Sequence, residues 1–299
     1  MGEKVTCSDD LQALKYNSVL GIPKNWGNLV VEFSGEGNIL IVDEGVDLRG
    51  GKIRFNGSNG VVMLRSSVHP YYLDLTVWSD TILFIDKNCY FNGQLHAIAS
   101  EGRYIIIGKE CLFSFGIWIR TADVHIVYDA NTHNRINLSK DILIGDHVWL
   151  GQDSMILKGS QIGSGSIIGA KSLIAGKQIE SNSSWGGNPA KRIRGDVFWD
   201  AASSHNWSSS QTEASLHFPG NQYIFAQDET TVSFEAAVES IRSKTSASLK
   251  IDMLREQIAE TGSNRFFLPS KRQSHGDSSV SSGASAHPSH RTLRDFFRK

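Results

Sequence analysis

Cysteine, proline and long apolar runs are all scarce in this sequence, and each shortage removes a class of protein. The three cysteines, Cys7, Cys89 and Cys111, are odd in number and widely spaced. That excludes a disulfide framework and fits a reducing compartment. Six prolines stand beside 28 glycines without a Gly-X-Y period, which excludes a collagen-like chain. No apolar run approaches the roughly 18 residues of a membrane-spanning helix. The first residues, MGEKVTCSDDLQALKYNSVL, contain acids and no apolar core, so no secretory leader is expected. A net charge of −1 gives no overall attraction to nucleic acid or to anionic membranes. The expectation is a soluble cytoplasmic protein, its 299 residues sufficient for one large domain with extensions or for two.

What the sequence has in abundance is a period of six. Ile144, Leu150, Ile156, Ile162, Ile168 and Ile174 are aliphatic without exception. The residues after them, Gly145, Gly151, Leu157, Gly163, Gly169 and Ala175, are mostly minimal; four places on stand Val148, Ser154, Ser160, Ser166, Ser172 and Gln178, mostly small. A period of six is neither that of a helix nor simple strand alternation. It suits a short strand plus a tight turn, with one aliphatic per unit facing an axis. Three units close a triangular coil of about 18 residues, and successive coils stack at strand spacing, roughly 4.8 Å. Upstream, Val42 and Leu48 fit the rule, then Ile85, Phe91 and Ala97, then Ile107, Phe113 and Ile119. Cys89 and Cys111 fall at the small position, as corner residues rather than a reactive pair. The parallel β-helix is expected over 28–195, with irregular early coils, after an N-terminal extension over 1–27.

Residues 141–196, with GGNPAKRIR at 186–194, resemble the terminal coils of the hexapeptide-repeat acyltransferases. DVHIVYD, a following arginine and IGDHVWLG are most similar to the members that O-acetylate bacterial capsule, exopolysaccharide or O-antigen sugars. The resemblance covers about 170 residues. It implies an all-β fold, a left-handed β-helix, whereas parallel crossovers in general are right-handed. It further implies acetyl-CoA as donor, a glycan acceptor, a histidine base and a homotrimer with active sites between adjacent prisms. Small residues Gly151, Gly169, Ala170 and Ala175 then admit the pantetheine arm. Lys171, Lys177, Lys191, Arg192 and Arg194 meet the nucleotide phosphates. Trp185 either stacks on adenine or packs over the last coil.

The residues themselves point to an interaction wall. Leu143, Trp149, Met155, Gln161, Ile167 and Leu173 precede the axial aliphatics and face outward, yet all but Gln161 are apolar. Residues 18 apart stack, so Trp149 should lie beside Ile167 and Gly151 beside Gly169. Trp149 serves as a stacking wall for acceptor or pantetheine, or as an anchor between subunits. The repeat breaks at RTADVHIVYDANTHNRIN, residues 120–137, where His125 takes a would-be axial slot at the rim of an excursion. Acetyl transfer from a thioester needs no covalent nucleophile. It needs a base for the hydroxyl proton, and histidine, with a pKa of about 6.5, serves near neutrality. Asp123, Asp129 or a backbone carbonyl is the candidate to orient His125. Arg135 either pairs with Asp129 to shape the loop or contacts an anionic glycan. His147, at a corner expected to face solvent, is the rival base; His96 lines the neighbouring wall as an acceptor contact; His133 is expected to be solvated.

Beyond the prism, 196–262 forms a C-terminal extension with one helix near 232–261, carrying Phe234, Val238, Ile241, Leu254 and Ile258 as an apolar stripe. Residues 263–299 are expected to be a disordered tail, its end, RTLRDFFRK, suited to peripheral contact with a membrane-bound polysaccharide assembly. Three rival functions stay open: an N-acetyltransferase on a nucleotide-linked amino sugar, a non-catalytic β-helix scaffold, and a metal enzyme of the γ-carbonic anhydrase kind. The last lacks a third convergent histidine, so no metal is expected.

Overall fold

A computed structural model describes residues 2–229, 231–260 and 265–270. Ile144, Leu150, Ile156, Ile162, Ile168 and Ile174 are all fully buried. They stack because strands one coil apart pair in parallel, Leu143 and Ile144 with Gln161 and Ile162, Trp149 and Leu150 with Ile167 and Ile168. Three sheets form the faces of a prism. The first runs from Leu29–Phe33 through Leu95–Ala99 and Trp118–Arg120 to Leu173–Ala175, and the second from Ser18–Leu20 through Tyr104–Ile107 and Ile142–Ile144 to Gln178–Ile179. The third holds Tyr90–Phe91, Leu112–Phe113, Trp149–Leu150, Ile167–Ile168 and Ser183–Gly186, closed by antiparallel Lys191–Gly195. From Tyr71–Val77 onward the chain visits the faces in that order, coil after coil; before it, only the first two faces carry strands.

The early coils are larger than the repeat. Leu40 pairs with Val62, Val62 with Leu83 and Leu83 with Ile105, steps of 22, 21 and 22 residues. The N-terminal residues do not stand apart from the prism: Glu3–Val5 pairs antiparallel with Leu29–Phe33, and Ser18–Leu20 pairs parallel with Ile39–Val42. The last coil is short, because Ile162 pairs with Ile179. Gln178 therefore stands outward beside Gln161 rather than at a small corner position.

Four corner serines have a common task, which Ser154 does not share, since its buried hydroxyl has no partner among the described residues. The hydroxyls of Ser160, Ser166, Ser172 and Ser183 donate to the carbonyls of Leu157, Gly163, Gly169 and Glu180, three residues back, at 2.6–2.7 Å. Each satisfies a carbonyl that the turn would leave buried and unpaired. Cys89 and Cys111 occupy equivalent corners, their thiols donating to the Gly108 and Gly145 carbonyls at 3.2 Å. Burial pushes the Cys111 thiol well up, away from a reactive thiolate.

The helix expected near 232–261 is two helices, Phe234–Arg242 and Ala247–Leu254, followed by a π-helical turn at Arg255–Ala259. The break falls at Ser243–Ser246, where the Ser246 hydroxyl accepts from the Leu249 N–H and starts a new helix. The apolar stripe is nonetheless the buried one: Phe234, Val238, Ile241, Leu254 and Ile258 cover Phe84, Tyr104, Ile106 and Leu143 of the second face. No helix among the described residues is long and apolar enough to cross a membrane. Residues 265–268, which fall in the stretch expected to be a tail, lie along the prism. Their backbone pairs with Ser164 and Ser181, and the Arg265 guanidinium is buried between Asp86 and Asp146. Residues 271–299, including RTLRDFFRK, lie outside the described residues.

Candidate functional site

The wall ends at Arg120 and resumes at Ile142, and the residues between form a hairpin at the corner joining the first face to the second. Tyr128 and Arg135 bridge antiparallel, and the Ile136 N–H donates to the Val127 carbonyl at 3.0 Å. Asn137 fastens its base: its amide N–H groups donate to the His125 carbonyl at 2.7 Å and to Asp123 at 3.0 Å, while its oxygen accepts from the Val127 N–H at 2.9 Å. Arg135 grips Glu101 with two bonds of 2.7 and 2.9 Å, tying the hairpin to the coil below. Arg135 and then Ser139, both hydrogen-bonded to Glu101, hold its carboxyl at about 2.

The expected pairing of Arg135 with Asp129 is not formed. Asp129 instead closes the hairpin tip, accepting from the N–H groups of Asn131 and Thr132 and from the Thr132 hydroxyl at 2.7–3.0 Å. That local turn occupies Oδ1 of the carboxylate. Asp123 is taken by Lys158 at 2.6 Å, which with Asn137 holds it below the usual carboxylate range. Neither aspartate therefore orients His125 within one chain. The His125 side chain is exposed, and its ring has no hydrogen-bond partner among the described residues. Around it Val124, Ile126, Tyr128, Ile136 and Leu138 are 55–72 % exposed. An apolar arm of that size marks a contact surface.

Trp149 stands on the third face between Leu112 and Ile167, 40 % exposed, with Trp199 at 5.9 Å. Its indole N–H has no acceptor among the described residues. Hairpin and Trp149 occupy opposite sides of one prism: the hairpin leaves the corner of the first two faces, and Trp149 is on the third.

His147, expected to face solvent, is buried. Trp199 and Tyr223 sandwich its ring at 4.0 and 4.4 Å, and its Nε2 meets the Trp199 carbonyl at 3.0 Å. Burial depresses its pKa. It anchors the C-terminal extension. His96 is on the first face, stacked on Trp118 at 4.4 Å with Nδ1 at 3.1 Å from Asp74. His133 is exposed at the hairpin tip.

The donor candidates divide. Gly151 and Gly169 stack as expected, but for different reasons. A Cβ on Gly151 would sit 2.6 Å from the Ala170 nitrogen of the next coil, so coil packing itself demands glycine there. A Cβ on Gly169 would meet the Trp185 carbonyl at 3.4 Å, an ordinary contact. Gly151→Ala is accordingly expected to cost about 1–3 kcal/mol of overpacking, and Gly169→Ala under about 0.5 kcal/mol. Denaturant midpoints of the two variants check this ordering. Ala170, Lys171, Ala175 and Lys191 are exposed, Lys177 half-buried. Arg192 is paired with Glu180. Trp185 packs over the last coil and donates to Ser183 at 3.1 Å.

Glu101, Asn137, Lys158 and Trp199 carry this geometry without having been singled out in the sequence. Their partners lie 34, 12, 35 and 52 residues away, and no short motif joins them.

A triangular β-helix of six-residue units, interrupted once by a histidine-bearing arm, defines the hexapeptide-repeat transferases. The family model described as bacterial transferase hexapeptide (six repeats) matches residues 141–176. The chain is 39% identical over 173 residues to a polysialic acid O-acetyltransferase of Neisseria meningitidis, covering 58% of this chain and 80% of that one. It is 43% identical over 95 residues to a polysialic acid O-acetyltransferase of Escherichia coli O1:K1 / APEC, 32% of this chain and 31% of that one. Among solved structures, the polySia specific acetyltransferase NeuO superposes with a TM-score of 0.56 at 26% identity, over 66% of this chain and 92% of that one. The polysialic acid O-acetyltransferase OatWY, at 24% identity and a TM-score of 0.50, covers 67% and 99% and shares the fold. The chain belongs to the hexapeptide-repeat O-acetyltransferases. It is an enzyme, an acyltransferase built on a β-helix.

Proposed function

We propose that this enzyme moves the acetyl group of acetyl-CoA to a hydroxyl of a sialic-acid-containing bacterial surface polysaccharide, at sites between adjacent prisms of a homotrimer. One observation carries the reading: His125 rides an exposed apolar arm on the side of the prism away from Trp149. One chain therefore holds two halves of different sites. A second copy, packed on the arm, brings its own Trp149 wall to His125. The names of the two sequence relatives supply the acceptor.

In this arrangement His125 takes the proton of the acceptor hydroxyl as its oxygen attacks the thioester carbonyl. The Trp149 indole N–H, free of other partners, faces the developing oxyanion. Collapse breaks the C–S bond, and the imidazolium returns its proton to the leaving thiolate. Pantetheine lies over Gly169 and Ala170, with Lys171 and Lys191 toward the phosphates. Such a donor places the reaction in the cytoplasm.

The test supplies acetyl-CoA and a sialic acid polymer to the purified full chain, with mass spectrometry of the glycan and assay of released CoA. The expected result is an added acetyl ester matched by free CoA. CoA release without a modified polymer overturns the acceptor. Failure of CoA to bind by calorimetry overturns the donor and favours a scaffold.

A further inference from the structure

We propose that the hollow between the first face and the hairpin is a subsite for one carboxylate-bearing sugar unit of the acceptor, with Arg120 as the ligand for the carboxylate and Trp78 as the floor for the ring. The inference rests on the acceptor reading above and specifies where it is recognised.

The hollow has a volume of about 570 Å³ and is bordered by Trp78, Ser79, Ser100, Arg120, Val124 and Ile126. That size is within the about 300–1,000 Å³ of small-molecule sites. Four charged side chains line it, Glu101, Arg120, Asp123 and Arg135, and three of them are paired. Arg135 is matched by Glu101 and Lys158 by Asp123. Arg120 has no acceptor among the described residues, and its Nε is buried without a partner. Leaving a guanidinium N–H buried and unmet is costly, and a bound carboxylate removes the cost with a two-pronged pair. Asp123 borders the same hollow and its charge interacts with that of Arg120, but its Oδ2 is bonded to Lys158 and Asn137 and it makes no hydrogen bond to Arg120. Arg120 is thus the one charged side chain of the lining without a hydrogen-bond partner among the described residues.

Trp78 is 45% exposed and has no acceptor for its indole N–H among the described residues. It follows the strand Tyr71–Val77 and sits two coils below the hairpin. A flat aromatic surface beside a free guanidinium and two serines suits a pyranose ring that carries an acid: an apolar ring face, an anionic substituent and several hydroxyls. Val124 and Ile126, on either side of His125, form the opposite lip. A chain seated here runs past the base, so the subsite binds a unit next to the one that reacts.

Initial-rate kinetics of the full chain test this on two probes, a sialic acid polymer and the same polymer with its carboxyl groups reduced to alcohols. Arg120→Gln is expected to raise KM for the native polymer about ten- to hundredfold, the worth of a charge-assisted pair. KM for acetyl-CoA stays put. On the reduced polymer, wild type and variant converge. Arg120→Lys recovers part of the loss, and Trp78→Ala raises KM on both polymers. Arg49→Gln, an exposed arginine remote from the hairpin, is the control. An unchanged KM in Arg120→Gln, an equal rise on both polymers, or dissociation of the assembly without a KM effect overturns the subsite. Absence of transfer to either polymer by the wild-type protein overturns the acceptor reading itself, so the two failures are separable.

Discussion

His125→Ala is expected to lower acetyl transfer about 10²- to 10⁴-fold, the usual contribution of a general base, with fold and assembly retained. The two halves of that expectation have different origins. The loss follows from chemistry: the thioester is already activated, and no serine or cysteine nucleophile is needed, so proton removal from the hydroxyl is the task left to a side chain. The retention follows from structure. The imidazole is exposed and bonded to nothing among the described residues, whereas the hairpin is held by Asn137, Arg135 and Glu101. The melting temperature and the sedimentation of the variant should match wild type while kcat/KM collapses. Near-native turnover would move the base elsewhere; the ring of His147 is stacked between Trp199 and Tyr223 with its Nε2 at a main-chain carbonyl.

The largest stability effect is expected at Arg265. Its guanidinium is 2% exposed and bonds Asp146 at 2.8 Å, Asp86 and the Ile258 carbonyl. Burial opposes its charge, but Asp146 and then Asp86 outweigh that and keep it protonated. Arg265→Leu leaves two carboxylates in a dry site without a counter-charge. Breaking a buried pair from one side costs about 3–5 kcal/mol, a large part of the stability of an ordinary domain. The damage should concentrate where Arg265 joins the C-terminal extension to the prism. Amide exchange is expected to rise first over 234–260, with the axial coils protected longest. A loss below about 1 kcal/mol would show the triad to be neutral. The double change Asp86→Asn with Asp146→Asn in the Arg265→Leu background should recover part of the loss, since it removes the orphaned charges.

These cases show what the chain discloses locally and what it does not. The coil, its axial aliphatics and its small corners are written at a fixed period, because each unit is stabilised by the copy one coil away; Trp149 beside Ile167 could be read by counting. The arm and His125 were legible as the place where that count fails. Four serine corners follow a rule, hydroxyl to carbonyl three back, that a sequence shows once the turn is known, and Ser154 departs from it. By contrast, the burial of His147 depends on Trp199, 52 residues on, and the Arg265 triad spans 119 and 179 residues. Such pairs leave no period. The choice of Glu101 over Asp129 for Arg135 is of the same kind, since the nearer aspartate is consumed by its own turn. The break in the C-terminal helix was readable in principle, in the serines around 243–246, but the apolar stripe runs through it and suggested continuity.

Catalysis at a site shared between copies is required because His125 and Trp149 stand on opposed sides of one prism. Mixed assemblies test that directly. His125→Ala and Trp149→Ala chains, distinguishable by tags, are co-expressed, and assemblies carrying both tags are purified and assayed with acetyl-CoA and the sialic acid polymer. Each parent alone should be inactive. If the site is built between chains, mixing restores transfer at one of the three interfaces of each mixed trimer, where an intact His125 meets an intact Trp149. If mixed assemblies are as inactive as either parent, both residues act within a single chain, and the two-copy site is contradicted.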